Sequence, residues 1–262
     1  MIVLSLFVAL MLERLRITPE GWQLDSTARK FDAWLYEHDT FSSARKNDVF
    51  GPLLLLIPAL LLAVIMLFGV GGLATFFVNI AVLTLALGCR PYRAALKRWY
   101  LATERDDKEV QQEAAAVILQ GDSNISLGQQ LVWLNFRFYF SVVFWFVLFG
   151  APGVLGYAIL RANEKRVPQL ISWVDWLPVR VAGLTFLLVG HFTRAMHAWL
   201  ASIGLVQNSQ EVLLQLAVAA EDFTADEDDE SAEPQAMLGL ARRATILLLA
   251  AIALASLLGW VV

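Results

Sequence analysis

Long uninterrupted runs of apolar residues dominate the pattern of this chain. A helix that crosses the hydrocarbon core of a bilayer needs about 20 predominantly apolar residues. Runs that meet or approach this length lie at residues 50–68, 73–89, 138–160 and 244–262. Each run predicts a membrane helix, and the uncharged glycine turn at 69–72 predicts that the first two form a hairpin.

Two shorter apolar segments have more than one interpretation. Residues 1–12 lack the basic start and the cleavage site of a signal peptide, so we interpret them as a short or partly inserted helix. Residues 177–192 carry Arg180 and His191, and they either cross the membrane, which we favour, or re-enter it. The expected fold is therefore all-α, a polytopic membrane helix bundle of about five to six membrane segments in one membrane domain, 1–262.

The basic residues of the loops predict the orientation of the chain. Segments 13–48 and 90–133 each contain six Lys or Arg residues, whereas the turn at 69–72 contains none. Because cytoplasmic loops carry the excess of Lys and Arg, both basic segments are expected on the cytoplasmic side. The rule weakens at the basic cluster 161–166, since simple alternation of spans would place this cluster outside.

Two polar segments between the apolar runs have distinct patterns. Helical spacing of apolar residues over 90–119 predicts one amphipathic helix. Residues 221–236 contain a run of Asp and Glu, whose mutual repulsion predicts a solvated linker before the last helix. If 177–192 crosses the membrane, this acidic linker is cytoplasmic and the end of the chain is outside.

Composition and charge exclude several functional classes. The chain is 58% hydrophobic and only 17% charged, which argues against a soluble globular enzyme, since soluble domains are about 45–50% apolar and about 25% charged. A net charge of −4 provides no basic excess for a nucleic acid partner. The sequence contains no phosphate-binding loop, no dinucleotide fingerprint and no spaced His or Cys ligands, so neither a cofactor nor a metal is expected.

Polar residues in apolar surroundings are the candidate functional residues. Asn135, Arg137 and Tyr139 lead into the third long run, and Asp175 and Arg180 lead into the next segment. An ionisable group at membrane depth costs about 2.5–3.5 kcal/mol, so such groups pair with one another or line a cavity. Asp175 is expected to pair with Arg180 or with Arg137. The equally weighted alternative is that these residues are interfacial anchors within an aromatic belt.

A proline divides the second of these clusters. Because the residue before a proline avoids the helical region, a helix is predicted to begin at Pro178, with Asp175 at its free backbone amides. Arg180 would then lie in the first turn, where the helix dipole disfavours a cation, so it should contact an anion. The predicted site for an anionic ligand or a partner segment comprises Asn135, Arg137, Tyr139, Asp175, Arg180 and His191.

Several of these motifs resemble the AmpE family. The resemblance is carried by Leu-Asn-Phe-Arg-Phe-Tyr at 134–139 and Val-Asp-Trp-Leu-Pro-Val-Arg at 174–180, and also by residues 13–15, 21–25, 144–145, 150–157 and 189–191. Members of this family are multi-pass proteins of the Gram-negative inner membrane, named as regulators of β-lactamase induction. The resemblance implies this bacterial inner-membrane location and a role in signalling.

The AmpE resemblance also implies a biological setting and a set of partners. The partner gene of the family encodes an amidase that processes anhydro-muropeptides during peptidoglycan recycling, which links the family to antibiotic resistance. A muropeptide-like or other anionic ligand is therefore expected, and so is a protein partner or a homo-oligomer. The lipid bilayer is the remaining expected partner.

A weaker similarity is to the CbiB/CobD membrane enzymes, which attach aminopropanol phosphate to a corrinoid carboxylate. Asn135, Pro178 and Arg180 match parts of their pattern, but Arg137 stands where an Asp belongs and 171–172 replace an Asp pair. Such chemistry needs magnesium and carboxylate ligands. We therefore favour a non-enzymatic regulator, and the alternative is a membrane enzyme of this type that acts on an envelope precursor. A muropeptide transporter ranks third, because no internal repeat is evident.

Overall fold

A computed structural model describes residues 2–15, 24–37, 50–68, 71–88, 90–121, 124–204, 208–221 and 230–259. These residues form helices and turns, with no strand among them, which confirms the all-α fold. The helices are α1 Ile2–Arg14, α2 Leu24–Glu37, α3 Phe50–Phe68, α4 Gly72–Ala86, α5 Arg90–Glu104, α6 Lys108–Leu119, α7 Leu127–Asn135, α8 Ser141–Ala162, α9 Pro168–Val189, α10 Phe192–Ser202, α11 Ser209–Ala220 and α12 Ala232–Leu257. A π-helical turn, Phe136–Phe140, joins α7 to α8.

Several helices are long and apolar enough to cross a membrane. Within the described ranges these are Gly51–Phe68, Leu127–Ala162, Pro168–Val189 and Ala232–Leu257. A fifth is reached when α4 and α5 are taken together as one broken span. The polytopic membrane helix bundle that the sequence predicts is therefore confirmed.

The chain divides into two compact units. Unit 1 comprises residues 1–88, 141–175 and 249–262, and unit 2 comprises 89–140 and 176–248. The first part of α9 thus belongs to unit 1 and its second part to unit 2.

In unit 1, α8 is broken at Gly150. This residue has φ 64° and ψ −153°, a conformation that is essentially restricted to glycine. Directly after the break, the N–H of Ala151 donates to Oδ1 of Asn79 at 3.2 Å. Pro152 follows, in the first turn after the break, where it costs no helical hydrogen bond. The apolar run at 138–160 is therefore not one regular helix.

Two ion pairs in unit 1 join α2 to the end of α8 and the turn after it. Nη2 of Arg161 lies 2.5 Å from Oδ1 of Asp25, and the two side chains are only 3% and 11% exposed. The same nitrogen donates to the carbonyl of Ala86 at 3.4 Å. Arg166 pairs with Asp32, two turns further along α2. The basic cluster after α8 therefore lies beside α2.

In unit 2, the segment 90–119 forms two helices, so the prediction of one continuous helix is wrong. The chain turns between α5 and α6, where Asp106 has a positive φ of 55°. The Asp107 side chain accepts a hydrogen bond from the N–H of Val110 at 3.2 Å and caps α6. Aspartate is a strong N-cap residue, which explains why a new helix begins here although the apolar periodicity continues.

Also in unit 2, α7 and α12 lie side by side and run parallel. A capping box begins α7: the Ser126 and Gln129 side chains each accept from the backbone N–H of the other residue at 3.1 Å. The Ser126 hydroxyl also donates to Glu233, near the start of α12. At the other end of α7, the Thr245 hydroxyl donates to Oδ1 of Asn135 at 3.0 Å. One contact joins the starts of the two helices, and the other joins residues further along both. The two helices therefore run in the same direction.

The acidic segment 221–236 is described only at its ends, since 222–229 lie outside the described residues. Helix α12 already begins inside the range that the sequence predicts as linker. Glu230 accepts hydrogen bonds from Lys108 at 3.0 Å and from Gln111 at 2.7 Å. These contacts lower the pKa of Glu230 below its ordinary value. The hydrogen bond from Gln111 has the largest effect, and the hydrogen bond and positive charge of Lys108 add to it. At this end the acidic segment therefore contacts α6.

Candidate functional site

A pocket of about 340 Å³ opens in unit 2 among α5, α7, the π turn and α12. This volume lies at the lower end of the range for small-molecule sites, about 300–1,000 Å³. The wall is continuous with the core that α5, α6 and α7 share. Five of its eleven lining residues are aliphatic: Leu96, Leu131, Leu134, Leu238 and Ile246.

Polar side chains from four elements also line this pocket. Asn135 and Tyr139, both predicted from the sequence, are joined by Arg93, Arg242 and Thr245. Among the lining residues that the structure describes, two are cations and none is acidic. A guanidinium offers paired donors that match a carboxylate or a phosphate. The arrangement therefore suits an anion that also carries an apolar part.

The local helix geometry explains why two of the predicted residues lie together and a third does not. Asn135 and Tyr139 are four residues apart, a spacing that brings side chains to one face of a helix. Arg137 is buried elsewhere, with its guanidinium 4.7 Å from the centroid of the Trp133 ring. These residues belong to the end of α7 and to the π turn, a kind of insertion often found at functional sites.

The structure corrects the prediction for Arg180. Helix α9 begins at Pro168 and continues through Pro178, so Arg180 lies in the interior of the helix and not in its first turn. The helix-dipole argument for an anion at this position is therefore wrong. The buried guanidinium donates to the carbonyl of Ser202 and lies 5.2 Å from the centroid of the Trp176 ring. These contacts join α9 to α10.

Asp175 also differs from its predicted position, since it lies within α9 and not before a helix. Its carboxylate accepts a hydrogen bond from the hydroxyl of Tyr157 at 2.9 Å, and both residues are almost fully buried. The guanidinium of Arg161 lies 5.9 Å from the centroid of the Tyr157 ring. Together with Asp25, these residues form a buried polar array in unit 1. Sequence reasoning identified only Asp175, although a basic residue directly after an apolar run was the available signal for Arg161.

His191 does not line the pocket, and its side chain is exposed at the junction of α9 and α10. Its backbone N–H donates to the carbonyl of Ala220 at 2.7 Å. That close approach depends on Gly190, where an added Cβ would lie 2.5 Å from the same carbonyl oxygen. The backbone of His191 therefore joins the junction of α9 and α10 to α11.

Some sequence predictions fall on residues that the structure does not describe. Residues 21–23 of the family resemblance lie outside the described ranges, as does the acidic run 226–229. Within those ranges, no group of three or more His, Cys, Asp or Glu side chains could hold a metal ion.

The helices, the buried polar residues between them and the pocket define a polytopic helical membrane protein. A family model described as "Regulatory signalling modulator protein AmpE" matches residues 1–262. The chain therefore belongs to the AmpE family, and it is a multi-pass regulatory membrane protein. It is 27% identical over 291 residues to Protein AmpE of Shigella flexneri, with 99% of each chain covered. No solved structure matches the chain.

Proposed function

We propose that this protein is a non-enzymatic regulator of β-lactamase induction in the bacterial inner membrane, and that it binds an anionic ligand in the pocket of unit 2. The observation that carries the proposal is that Arg93 and Arg242 line one pocket with Asn135 and Tyr139. Paired guanidinium donors beside an amide and a phenol hydroxyl favour recognition of an anion. The link to cell-wall recycling and antibiotic resistance rests on the family resemblance, which makes a muropeptide-like molecule one candidate ligand.

The remaining residues of the predicted site have a positioning role in this proposal. Arg137 and Arg180 each lie against a tryptophan ring, and Asp175 accepts a hydrogen bond from a buried tyrosine. Buried polar residues of this kind fix the helices that carry them, since each must keep its partners in an apolar medium. His191 keeps the α9–α10 junction in place through its backbone. A protein partner or a second copy of the chain would then recognise the arrangement of the helices.

We also propose that segments 13–48 and 90–133 are cytoplasmic, as their excess of Lys and Arg indicates. Glu230 contacts α6, which supports the same side for this end of the acidic segment. A cysteine introduced at Arg105 should react with a membrane-impermeant maleimide only after the membrane is opened. Labelling of this position from the periplasm of intact cells would contradict this orientation.

The functional test compares variants of neighbouring arginines in cells with an inducible β-lactamase. Arg242→Gln and Arg93→Gln should impair induction at normal abundance in the membrane, because each removes a donor from the pocket. Arg243→Gln is the matched control, since this exposed arginine pairs with Glu221 at 2.7 Å outside the pocket. Normal induction in both pocket variants at normal abundance would refute the proposal. Arg180→Gln should lower abundance and induction together, as expected of a positioning residue.

A further inference from the structure

The apolar run 138–160 folds back on itself at Gly150. On a straight α-helix, residues eight positions apart are separated by about 12 Å along the axis. A Cβ at Gly153 would nevertheless lie 2.8 Å from the carbonyl oxygen of Trp145 and 2.6 Å from the Cβ of Phe149. The part of α8 after the break, 151–162, therefore packs against the part before it. The absence of a side chain at Gly153 permits this close approach.

The contacts with α4 give the direction of the part after the break. The Asn79 side chain accepts a hydrogen bond from the N–H of Ala151, and the carbonyl of Ala86 accepts one from Nη2 of Arg161 at 3.4 Å. Because the order of these contacts is the same along both helices, 151–162 runs parallel to α4. Ala86 is the last residue of α4, where a helix has free carbonyl groups and favours a cation. Arg161 therefore lies where α4 ends.

The sequence indicates on which side of the membrane the run 138–160 begins and ends. The run 73–89 is followed directly by Arg90 and Arg93, so α4 ends at the membrane surface from which segment 90–133 continues. This segment contains no apolar run of spanning length, and it leads into the run at 138. The run therefore begins on the side where α4 ends. Since Arg161 contacts Ala86, the run also ends on that side.

We propose that the run 138–160 is a re-entrant hairpin, which enters the membrane from the side of segment 90–133, turns at Gly150 and returns to that side. Neither half of the run can cross alone, since each rises about 18 Å at most against a hydrocarbon core of about 30 Å. Irregular backbone is tolerated at membrane depth only where protein or water shields it. At the turn, Ala151 and Asn79 are 0% and 6% exposed, so the protein shields this backbone.

The hairpin also accounts for the basic cluster 161–166. A single crossing helix would place this cluster on the side opposite segment 90–133, against the usual distribution of Lys and Arg. The hairpin places it on the same side, together with α2, whose Asp25 pairs with Arg161. Helix α2 belongs to the basic segment 13–48, so the charge distribution and the ion pair agree. This inference does not depend on which side is the cytoplasm.

The first test locates single cysteines in the full chain, in a Cys89→Ser background that removes the one native cysteine. A membrane-impermeant maleimide is applied to intact cells and to cells with an opened membrane. Lys165→Cys, in the exposed turn after the hairpin, should react from the same side as Arg105→Cys. Gly71→Cys, beside the start of α4, should react from the opposite side.

The labelling outcomes separate the hairpin from the proposed orientation. Reaction of Lys165→Cys from the side of Gly71→Cys, opposite Arg105→Cys, overturns the inference. Reaction of all three from one side also overturns it, because α4 would then not cross. If Arg105→Cys and Lys165→Cys react from the periplasm and Gly71→Cys does not, the hairpin stands and the orientation proposed above is wrong.

The second test compares two glycines of the hairpin by thermal unfolding in detergent. In a straight crossing helix, alanine is more favourable than glycine, so Gly153→Ala would leave Tm unchanged or raise it. In the hairpin it should lower Tm, because its Cβ would collide with the carbonyl of Trp145. Gly156→Ala is the matched control, since its Cβ would lie 3.5 Å from the nearest side-chain atoms, an ordinary contact distance. A Tm for Gly153→Ala equal to or above that of Gly156→Ala overturns the fold-back.

Discussion

Replacing Asp25 with alanine leaves the guanidinium of Arg161 buried without its carboxylate partner. The Arg161 side chain is 3% exposed, so bulk water cannot take the place of the carboxylate. Removing one member of a buried ion pair costs about 3–5 kcal/mol. Arg161 retains contacts with the Ala86 carbonyl and the Tyr157 ring. We therefore expect a loss near the lower end of that range, about 3 kcal/mol of the free energy of unfolding.

A second substitution separates the charge effect from the loss of packing. In the Asp25→Ala/Arg161→Met variant no charge remains buried at this position, so most of the stability should return. The coupling energy from the double-mutant cycle should then reach about 2 kcal/mol. The exposed pair Arg98–Glu113 is the control, with its charged atoms 3.5 Å apart and its side chains 60% and 63% exposed. Glu113→Ala should cost at most about 1 kcal/mol.

The assay is thermal unfolding in detergent micelles, followed by tryptophan fluorescence. For a chain of this size about 1 kcal/mol corresponds to about 2–4 °C in Tm, so Asp25→Ala should lower Tm by about 6–12 °C. Glu113→Ala should lower it by no more than about 4 °C. The reasoning fails if the two single variants lower Tm equally, or if the double variant is no more stable than Asp25→Ala.

Gly150→Ala should lower the free energy of unfolding by about 1–3 kcal/mol, because alanine is strained at this φ and ψ. Gly239→Ala is the control: this glycine lies in open space within α12, so the substitution should leave Tm unchanged or raise it. Equal effects of the two substitutions on Tm would contradict the break at Gly150. The pKa of Glu230 is lowered on folding, so its contribution to stability is present above the ordinary pKa of glutamate and is lost as pH falls through the lowered value. The Tm difference between wild type and Glu230→Gln should therefore disappear in acid, and a difference that persists there would refute the contact with Lys108. Replacing the acids at 226–229 with Ser or Gln should leave the yield of folded protein unchanged, because solvated like charges contribute little to a fold; a large loss would indicate a structural role.

The membrane helices could be predicted because their apolar runs leave the chain few alternatives. Helix α3 spans the same residues as the run 50–68. Pro178 shows where local rules fail, since they place a helix start there and α9 continues through it. In an apolar medium, irregular backbone would leave more polar groups unsatisfied than one proline does. Gly150 shows the converse, because its break depends on the Asn79 side chain, which lies far away in sequence.

The candidate site was predictable only in part, for a related reason. Asn135 and Tyr139 are conspicuous because polar residues are costly beside a membrane run. Arg93 and Arg242 resemble ordinary basic residues that flank membrane helices, and only the packing of α5 and α12 against α7 brings them to one pocket. Arg180 and Asp175 are polar for a structural reason, since each bonds a partner within its own unit.

The ion pair between α2 and α8 has a consequence for how the protein is made. Asp25 and Arg161 are 136 residues apart in the chain, so at a synthesis rate of about 5–20 residues per second Asp25 emerges about 7–27 s before its partner. During that interval its carboxylate must remain hydrated, which keeps α2 at the water surface while α3 and α4 are inserted. A nascent chain that stalls before Arg161 therefore carries an undocked α2 that is accessible to proteases. The late docking of this helix makes biogenesis of unit 1 depend on the second half of the protein.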